Sequence, residues 1–280
     1  MIIYYKRNKV MEKIKINNLT LRFATGLLFV AIIVASILVH PLAFLIVFCL
    51  ITGLTLWEFY SLMMTRGNSY LEGTIGVICG MYLFIASFIY SHWMAGPAIF
   101  LPYLLFLMFI MISQLYYRAP DPVSNWAVSF LGQVWIAGSF SLLNLILIPQ
   151  LVLAVFVFIW INDTAAYVFG TALGKHKLFL RISPKKSWEG CISGLIFVVI
   201  AACVFFFFIR EISLLNWLGL AVTVFIFGTW GDLVESLFKR TLDVKDSGNI
   251  LPGHGGMLDR FDSFLMAVPA AYIYIRLFIF

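Results

Sequence analysis

Residues 191–209 read CISGLIFVVIAACVFFFFI, with no Asp, Glu, Lys, Arg or His between Glu189 and Arg210. A transmembrane helix needs about 20 mainly apolar residues to cross a hydrocarbon core of about 30 Å, and this run meets that need. Carried outward, the same criterion finds runs at roughly 22–39, 41–60, 73–90, 96–117, 126–146, 149–170, 212–231 and 261–279. The breaks carry proline, glycine or charge: His40-Pro41, TRGNSYLEG (65–73), SHWMAGP (91–97), YRAPDPVSN (117–125), Ile148-Pro149 and Arg210-Glu211. The chain is 62% hydrophobic and 11% charged, with mean hydropathy +1.00. Soluble domains run at about 45–50% and 25%. The expected fold class is therefore an all-α polytopic membrane protein with about nine transmembrane helices. Residues 1–150 hold about five spans. Residues 151–280 hold the rest, together with two charge-rich loops, 171–190 and 232–260, and form the expected catalytic region.

Nine spans put the termini on opposite sides. With the N-terminus inside, segments 1–22, 61–72, 118–125, 171–190 and 232–260 are cytoplasmic and carry seventeen of the 19 Lys and Arg residues. That bias is the positive-inside pattern, and it played no part in choosing the spans. It accounts for the net charge of +6 without nucleic acid as a partner. The basic N-terminal segment reads as a first anchor, not a cleaved signal peptide, with Met1 and Met11 both open as the start. Cys49, Cys79, Cys191 and Cys203 lie singly in apolar runs, without the spacing of a disulfide framework or a zinc site.

Charge is concentrated where the spans stop. Nine ionisable residues fall between Lys239 and Asp262. Asp232, Glu235 and Lys239 are spaced i, i+3, i+7 and share a helix face. They read either as a solvated helix end with a Glu235–Lys239 pair or as oxygen ligands for a hard cation. Asp259 and Asp262 repeat the i, i+3 spacing at the start of the last span. They either complement a helix dipole or join the same site. Pro252, Gly253, His254, Gly255 and Gly256 precede them as a shaped loop, in which glycine permits positive φ and close backbone approach. The loop 174–190, GKHKLFLRISPKKSWEG, sets five cations against Glu189. It reads as ordinary inside charge near anionic headgroups or as a phosphate-binding element. In the second reading Ser183, Lys185, Lys186 and Ser187 supply donors, and Ser187 caps the next helix. Asp163, in Asn162-Asp163-Thr164, is evenly placed between a polar helix contact and a site role. Trp57-Glu58-Phe59-Tyr60 reads as an interfacial aromatic anchor carrying one acid.

Carboxylates from two helix ends, surrounded by Lys and Arg at a membrane edge, suit phosphoryl or nucleotidyl transfer between a cytosolic nucleotide and a membrane lipid. The residues also resemble a known family. Ser236, Phe238, Lys239-Arg240, Lys245-Asp246, Gly248, Leu251, Pro252, His254-Gly255-Gly256, Met257, Asp259-Arg260, Phe261 and Asp262 together look like the signature of the phosphatidate cytidylyltransferases (CDP-diacylglycerol synthases). Residues 183–190 (SPKKSWEG), Asn162-Asp163-Thr164-Ala165-Ala166-Tyr167 and Trp57-Glu58-Phe59-Tyr60 are also similar to that family. The likeness runs from about residue 20 to the C-terminus and is strongest in 160–265.

The resemblance implies that CTP and phosphatidic acid give CDP-diacylglycerol and pyrophosphate, with Mg²⁺ and a second cation such as K⁺. It implies Asp232, Asp259 and Asp262, with Glu235, as cation ligands. Lys239, Arg240, Lys245, Arg260 and the Ser183–Ser187 segment would hold phosphates, and His254, Gly255 and Gly256 would shape the nucleotide pocket. Asp232, Asp259, Asp262, Lys239 and Arg260 are the expected catalytic set. The expected setting is the inner membrane of a bacterial-type cell, with the site facing the cytoplasm and a homodimer left open. A CTP-dependent polyprenol or phytol kinase, which would release CDP, is the alternative enzyme. The DG…AR…G…D…D run of the CDP-alcohol phosphotransferases is missing, and a transporter would favour charge in mid-membrane and repeated halves.

Overall fold

The computed structural model describes residues 24–64, 70–116, 121–248, 250 and 255–280. Among these residues the chain forms nine helices, at the nine places the apolar runs predict. They are α1 (Ala24–Val39), α2 (Pro41–Met64), α3 (Tyr70–His92), α4 (Pro97–Tyr116), α5 (Pro122–Asn144), α6 (Pro149–Leu173), α7 (Trp188–Phe208), α8 (Leu214–Thr241) and α9 (Leu258–Ile279). Eight are long and apolar enough to cross a membrane; α1 is shorter. Proline at the first turn starts α2, α4, α5 and α6, where its missing N–H costs nothing.

The buried side chains form one aromatic-rich core that crosses residue 150 without a break. Phe48 of α2 lies 5.8 Å from Phe156 of α6, and Phe140 of α5 lies 4.7 Å from Phe264 of α9. Phe29 of α1 meets Phe261 of α9 edge-on at 6.0 Å. Polar ties fix the inner helices. Gln133, in a π-helical stretch of α5, donates to Gly76 O of α3 at 2.7 Å and to Tyr60 Oη of α2 at 3.0 Å. The outer face of α4 is apolar and exposed (Leu105 65%, Leu115 77%), as a lipid-facing helix requires.

Small residues let α6 and α7 approach each other closely. Gly190 and Gly194, four residues apart on α7, face Asn162, Ala166 and Gly170 of α6, the small-xxx-small geometry of membrane helix pairs. A Cβ at Gly190 would stand 2.6 Å from Ala166 O. Gly190→Leu is therefore expected to destabilise the protein by about 1–3 kcal/mol through overpacking, read as a lower melting temperature in detergent. Gly96→Ala, where nothing lies within 4 Å, is the neutral control.

Two features depart from the expected outline. Helix α8 continues ten residues past position 231, so Asp232, Glu235 and Lys239 do share a helix face, and the connection to α9 begins after Thr241 and not at residue 232. Lys239 and Arg240 in its last turn complement the negative end of the dipole. The 171–190 loop also contains a hairpin, β1 (Lys177–Phe179) antiparallel to β2 (Ser183–Ser187). Its base is tied to α7, since His176 Nδ1 lies 2.6 Å from Glu189 and Trp188 N donates to His176 O at 2.9 Å.

Candidate active site

The C-terminal parts of α2, α6 and α8 meet the N-terminal parts of α7 and α9 at one pole of the bundle. Their polar side chains sort into two groups.

The first group is closed. Lys239 Nζ of α8 lies 2.8 Å from Glu235 Oε2 and 2.7 Å from Asp259 Oδ1 of α9. The Asp259 contact is also an aligned hydrogen bond, whereas the Glu235 contact is an ion pair without that alignment. Glu235 is fully buried. Asp259 also accepts from Ser247 N at 3.1 and 2.9 Å and from Gly256 N at 2.9 Å. Both of its oxygens are thus engaged within the protein. Gly255, at φ +86°, turns the chain into this arrangement, and a Cβ there would press on Asp259 Oδ2 at 2.9 Å. Only glycine meets both conditions cheaply.

The second group is open. Asp232 Oδ2 of α8 pairs with Lys186 Nζ of β2 at 2.6 Å, and Asp232 Oδ1 accepts from Ser236 Oγ at 3.2 Å. Alternation along β2 leaves Lys185 exposed and turns Lys186 half-buried toward α8. Asp262 of α9 and Asp163 of α6 lie close enough to Asp232 and to each other to interact electrostatically. Among the described residues Asp262 Oδ1 accepts only its neighbour's amide, Ser263 N, at 2.6 Å. Asp163 receives Asn162 Nδ2 at 3.4 Å and is solvent-accessible. Three carboxylates from three helices therefore interact, and Lys186 pairs with Asp232 and acts electrostatically on Asp163. Asp163 lies ten residues before the end of α6, roughly 15 Å along its axis at 1.5 Å per residue. Exposed Tyr167, Trp230, Val234 and Leu237 surround that end of α6 and α8 with apolar surface.

Among the described residues no group of three or more His, Cys, Asp or Glu side chains is positioned to hold a metal ion by itself. A Mg²⁺ ion does not need such a cage, since it keeps waters and takes one or two carboxylates plus substrate phosphates. Clustered carboxylates with too few internal donors are a hard-oxygen set of the kind that ion prefers, so Asp163, Asp232 and Asp262 fit it.

The other expected residues divide by position. Ser187 is the N-cap of α7, its Oγ accepting Gly190 N at 3.2 Å, and is buried there. Ser183 is half-buried at the start of β2. Arg240, Lys245 and Arg260 are exposed around the pole, and Arg240 donates to Val244 O at 3.2 Å. Gly256 is buried against Ser247 and Glu58. His254, with Pro252 and Gly253, lies outside the described residues. Two residues carry more than their sequence context suggested. Asp163 belongs to the open cluster, and its sequence signals were an acid in an otherwise apolar span and the family likeness of residues 162–167. Glu58, set among aromatics on α2, reaches the α8–α9 connection: its Oε2 accepts Leu258 N at 2.9 Å and Ser247 Oγ at 3.2 Å.

A family model described as the cytidylyltransferase family matches residues 20–278. Proteins named phosphatidate cytidylyltransferase are similar to this chain. The one from Staphylococcus haemolyticus is 55% identical over 120 residues. Those from Staphylococcus saprophyticus and Staphylococcus aureus are 51% and 50% identical over the same length. Each alignment covers 42% of this chain and 46% of the relative, so the chain spans about half the length of the relatives it matches.

Proposed function

The chain belongs to the cytidylyltransferase family, and from that premise we propose that it transfers the cytidylyl group of CTP to phosphatidic acid, forming CDP-diacylglycerol and pyrophosphate. One observation carries the reading beyond the family. The carboxylates of Asp163, Asp232 and Asp262, contributed by three apolar helices, interact at one pole of the bundle, with Lys186 paired to Asp232 and Asp163 exposed. A lipid phosphate and a nucleotide triphosphate both need such a place, one arriving from the bilayer and the other from water. The bacterial relatives and the distribution of Lys and Arg support a cell-membrane location with this pole facing the cytoplasm.

In the proposed reaction a phosphate oxygen of phosphatidic acid bonds to the α-phosphorus of CTP. The bond from that phosphorus to the oxygen bridging to the β-phosphate breaks, and pyrophosphate leaves with the electron pair. The lipid phosphate is already anionic, so no general base is required of the protein. Lys186 and the exposed Lys185 and Arg260 meet phosphate charge and stabilise it as it shifts to the leaving group. Asp163, Asp232 and Asp262 would hold Mg²⁺, which when bound neutralises phosphate oxygens and orients the displacement. A second cation such as K⁺ would draw on the same carboxylates. Asp259 and Glu235 serve differently: through Lys239 they hold α9 against α8 and so set where Asp262 stands.

The test is incubation of purified protein with Mg²⁺, α-labelled CTP and phosphatidic acid in detergent micelles. The expected result is a labelled lipid with equimolar pyrophosphate. Released CDP would point to a kinase, and a folded preparation that labels no lipid would end the reading.

A further inference from the structure

Glu58 is the one Asp, Glu, Lys, Arg or His residue on α2. Its side chain is 4% exposed, and no cation pairs with it among the described residues. A buried carboxylate without a counter-ion is costly unless backbone and hydroxyl donors satisfy it. Here Oε2 takes two donors from the far end of the sequence, Leu258 N at 2.9 Å and Ser247 Oγ at 3.2 Å, while Oε1 has no partner among the described residues. Those donors are not incidental. Leu258 begins α9, which carries Asp259 and Asp262. The backbone N–H of Ser247 binds both Asp259 oxygens. Gly248 and Gly256 wall the carboxylate in: a Cβ at either would come within 2.6 and 2.5 Å of its oxygens. The neighbouring Phe59 stacks on Phe238 of α8 at 5.2 Å. Glu58 thus ties α2 to both sides of the α8–α9 connection.

We propose that Glu58 is a positioning residue for the transfer reaction: through Leu258 and Ser247 it fixes the start of α9, and with it the placement of Asp262 opposite Asp232 and Asp163. The inference rests on the cytidylyl-transfer reading only for its kinetic consequence. Its structural consequence, a fixed placement of Ser247 and of the start of α9 at Leu258, stands independently. A Gln side chain keeps a carbonyl oxygen where Oε2 sits and puts an uncharged NH₂ where Oε1 has no partner. Glu58→Gln therefore preserves both hydrogen bonds, and Glu58→Ala removes them.

Two measurements on the full chain in detergent decide the matter. In hydrogen–deuterium exchange, peptides covering 242–262 of Glu58→Ala are expected to exchange at least roughly tenfold faster than wild type, with α4 unchanged. Glu58→Gln is expected to match wild type. In turnover per folded molecule, Glu58→Ala is expected to lose about 10²-fold in kcat, as a displacement of about 1 Å can cause, with KM for CTP little changed and with rescue in Glu58→Gln. Wild-type exchange in the 242–262 peptides of Glu58→Ala would overturn the clamp. Faster exchange with wild-type kcat would overturn the positioning role and leave a merely structural one. Faster exchange in a protein whose wild type labels no lipid would instead count against the proposed function while upholding the clamp.

Discussion

Asp262→Asn lowers turnover by about 10²–10³-fold, the cost of removing one preorganised electrostatic group from a transferring site, and the folded protein loses no heat stability. The two halves of this expectation come from the same geometry. Among the described residues Asp262 makes no ion pair, and its one side-chain hydrogen bond is from the adjacent Ser263 amide. Its other electrostatic neighbours include the carboxylates of Asp163, Asp232 and Glu235. Any negative charge these acids carry together is mutually unfavourable, so replacing one by a neutral amide removes no attraction. With substrate phosphates and cation present they are the attractive groups, and the same replacement removes what the reaction needs. Loss of activity with an unchanged or higher melting temperature is the mark of a residue kept for function against stability. Pyrophosphate release and thermal unfolding in the same detergent measure the two sides. If Asp262→Asn melts well below wild type, the carboxylate is a structural partner, and its assignment to the open cluster fails.

The sequence alone located the helices because a lipid environment imposes a length and a polarity that few soluble segments imitate. It also pointed to the charged helix ends and loops, since charge in a chain this apolar has few reasons to be present. It did not distribute the acids correctly between two groups. Asp259 and Asp262 share an i, i+3 spacing that suggested one metal-facing pair. The structure gives Asp259 to Lys239, Ser247 and Gly256 and leaves Asp262 facing Asp163 and Asp232. Spacing along a helix defines a face, but which partners occupy that face depends on neighbouring helices. Asp163 lies 69 positions before Asp232, and Glu58 lies 200 positions before Leu258. No local pattern connects such residues. Only the antiparallel packing of α6, α7, α8 and α9, enforced where Gly190 and Gly194 let α7 settle on α6, brings them to one pole. The Glu235–Lys239 pair was legible as an i, i+4 spacing, but its burial was not, because the pair read as part of a solvated helix end.

That burial makes Lys239 the position where substitution costs most in stability. Lys239→Met leaves Glu235, fully buried, and Asp259, nearly so, without the ammonium that lies 2.8 and 2.7 Å from them. Removing one partner of a buried ion pair typically costs about 3–5 kcal/mol, because the remaining charge has lost both water and its counter-ion. The expected result is a large fall in melting temperature and faster exchange where α8 and α9 meet. Glu235→Gln in the Lys239→Met background is expected to recover part of that loss, since it removes one of the two stranded charges and keeps its shape. The comparison also separates two roles for Lys239. A residue that holds α9 to α8 loses stability on substitution and regains it when the stranded acid is neutralised. A residue that instead reaches out to a substrate phosphate would leave the melting temperature near wild type and raise KM for CTP. The 12% exposure of the Lys239 side chain, and its two carboxylate partners, favour the first role. Unchanged stability in Lys239→Met would return it to the phosphate-binding set with Lys186.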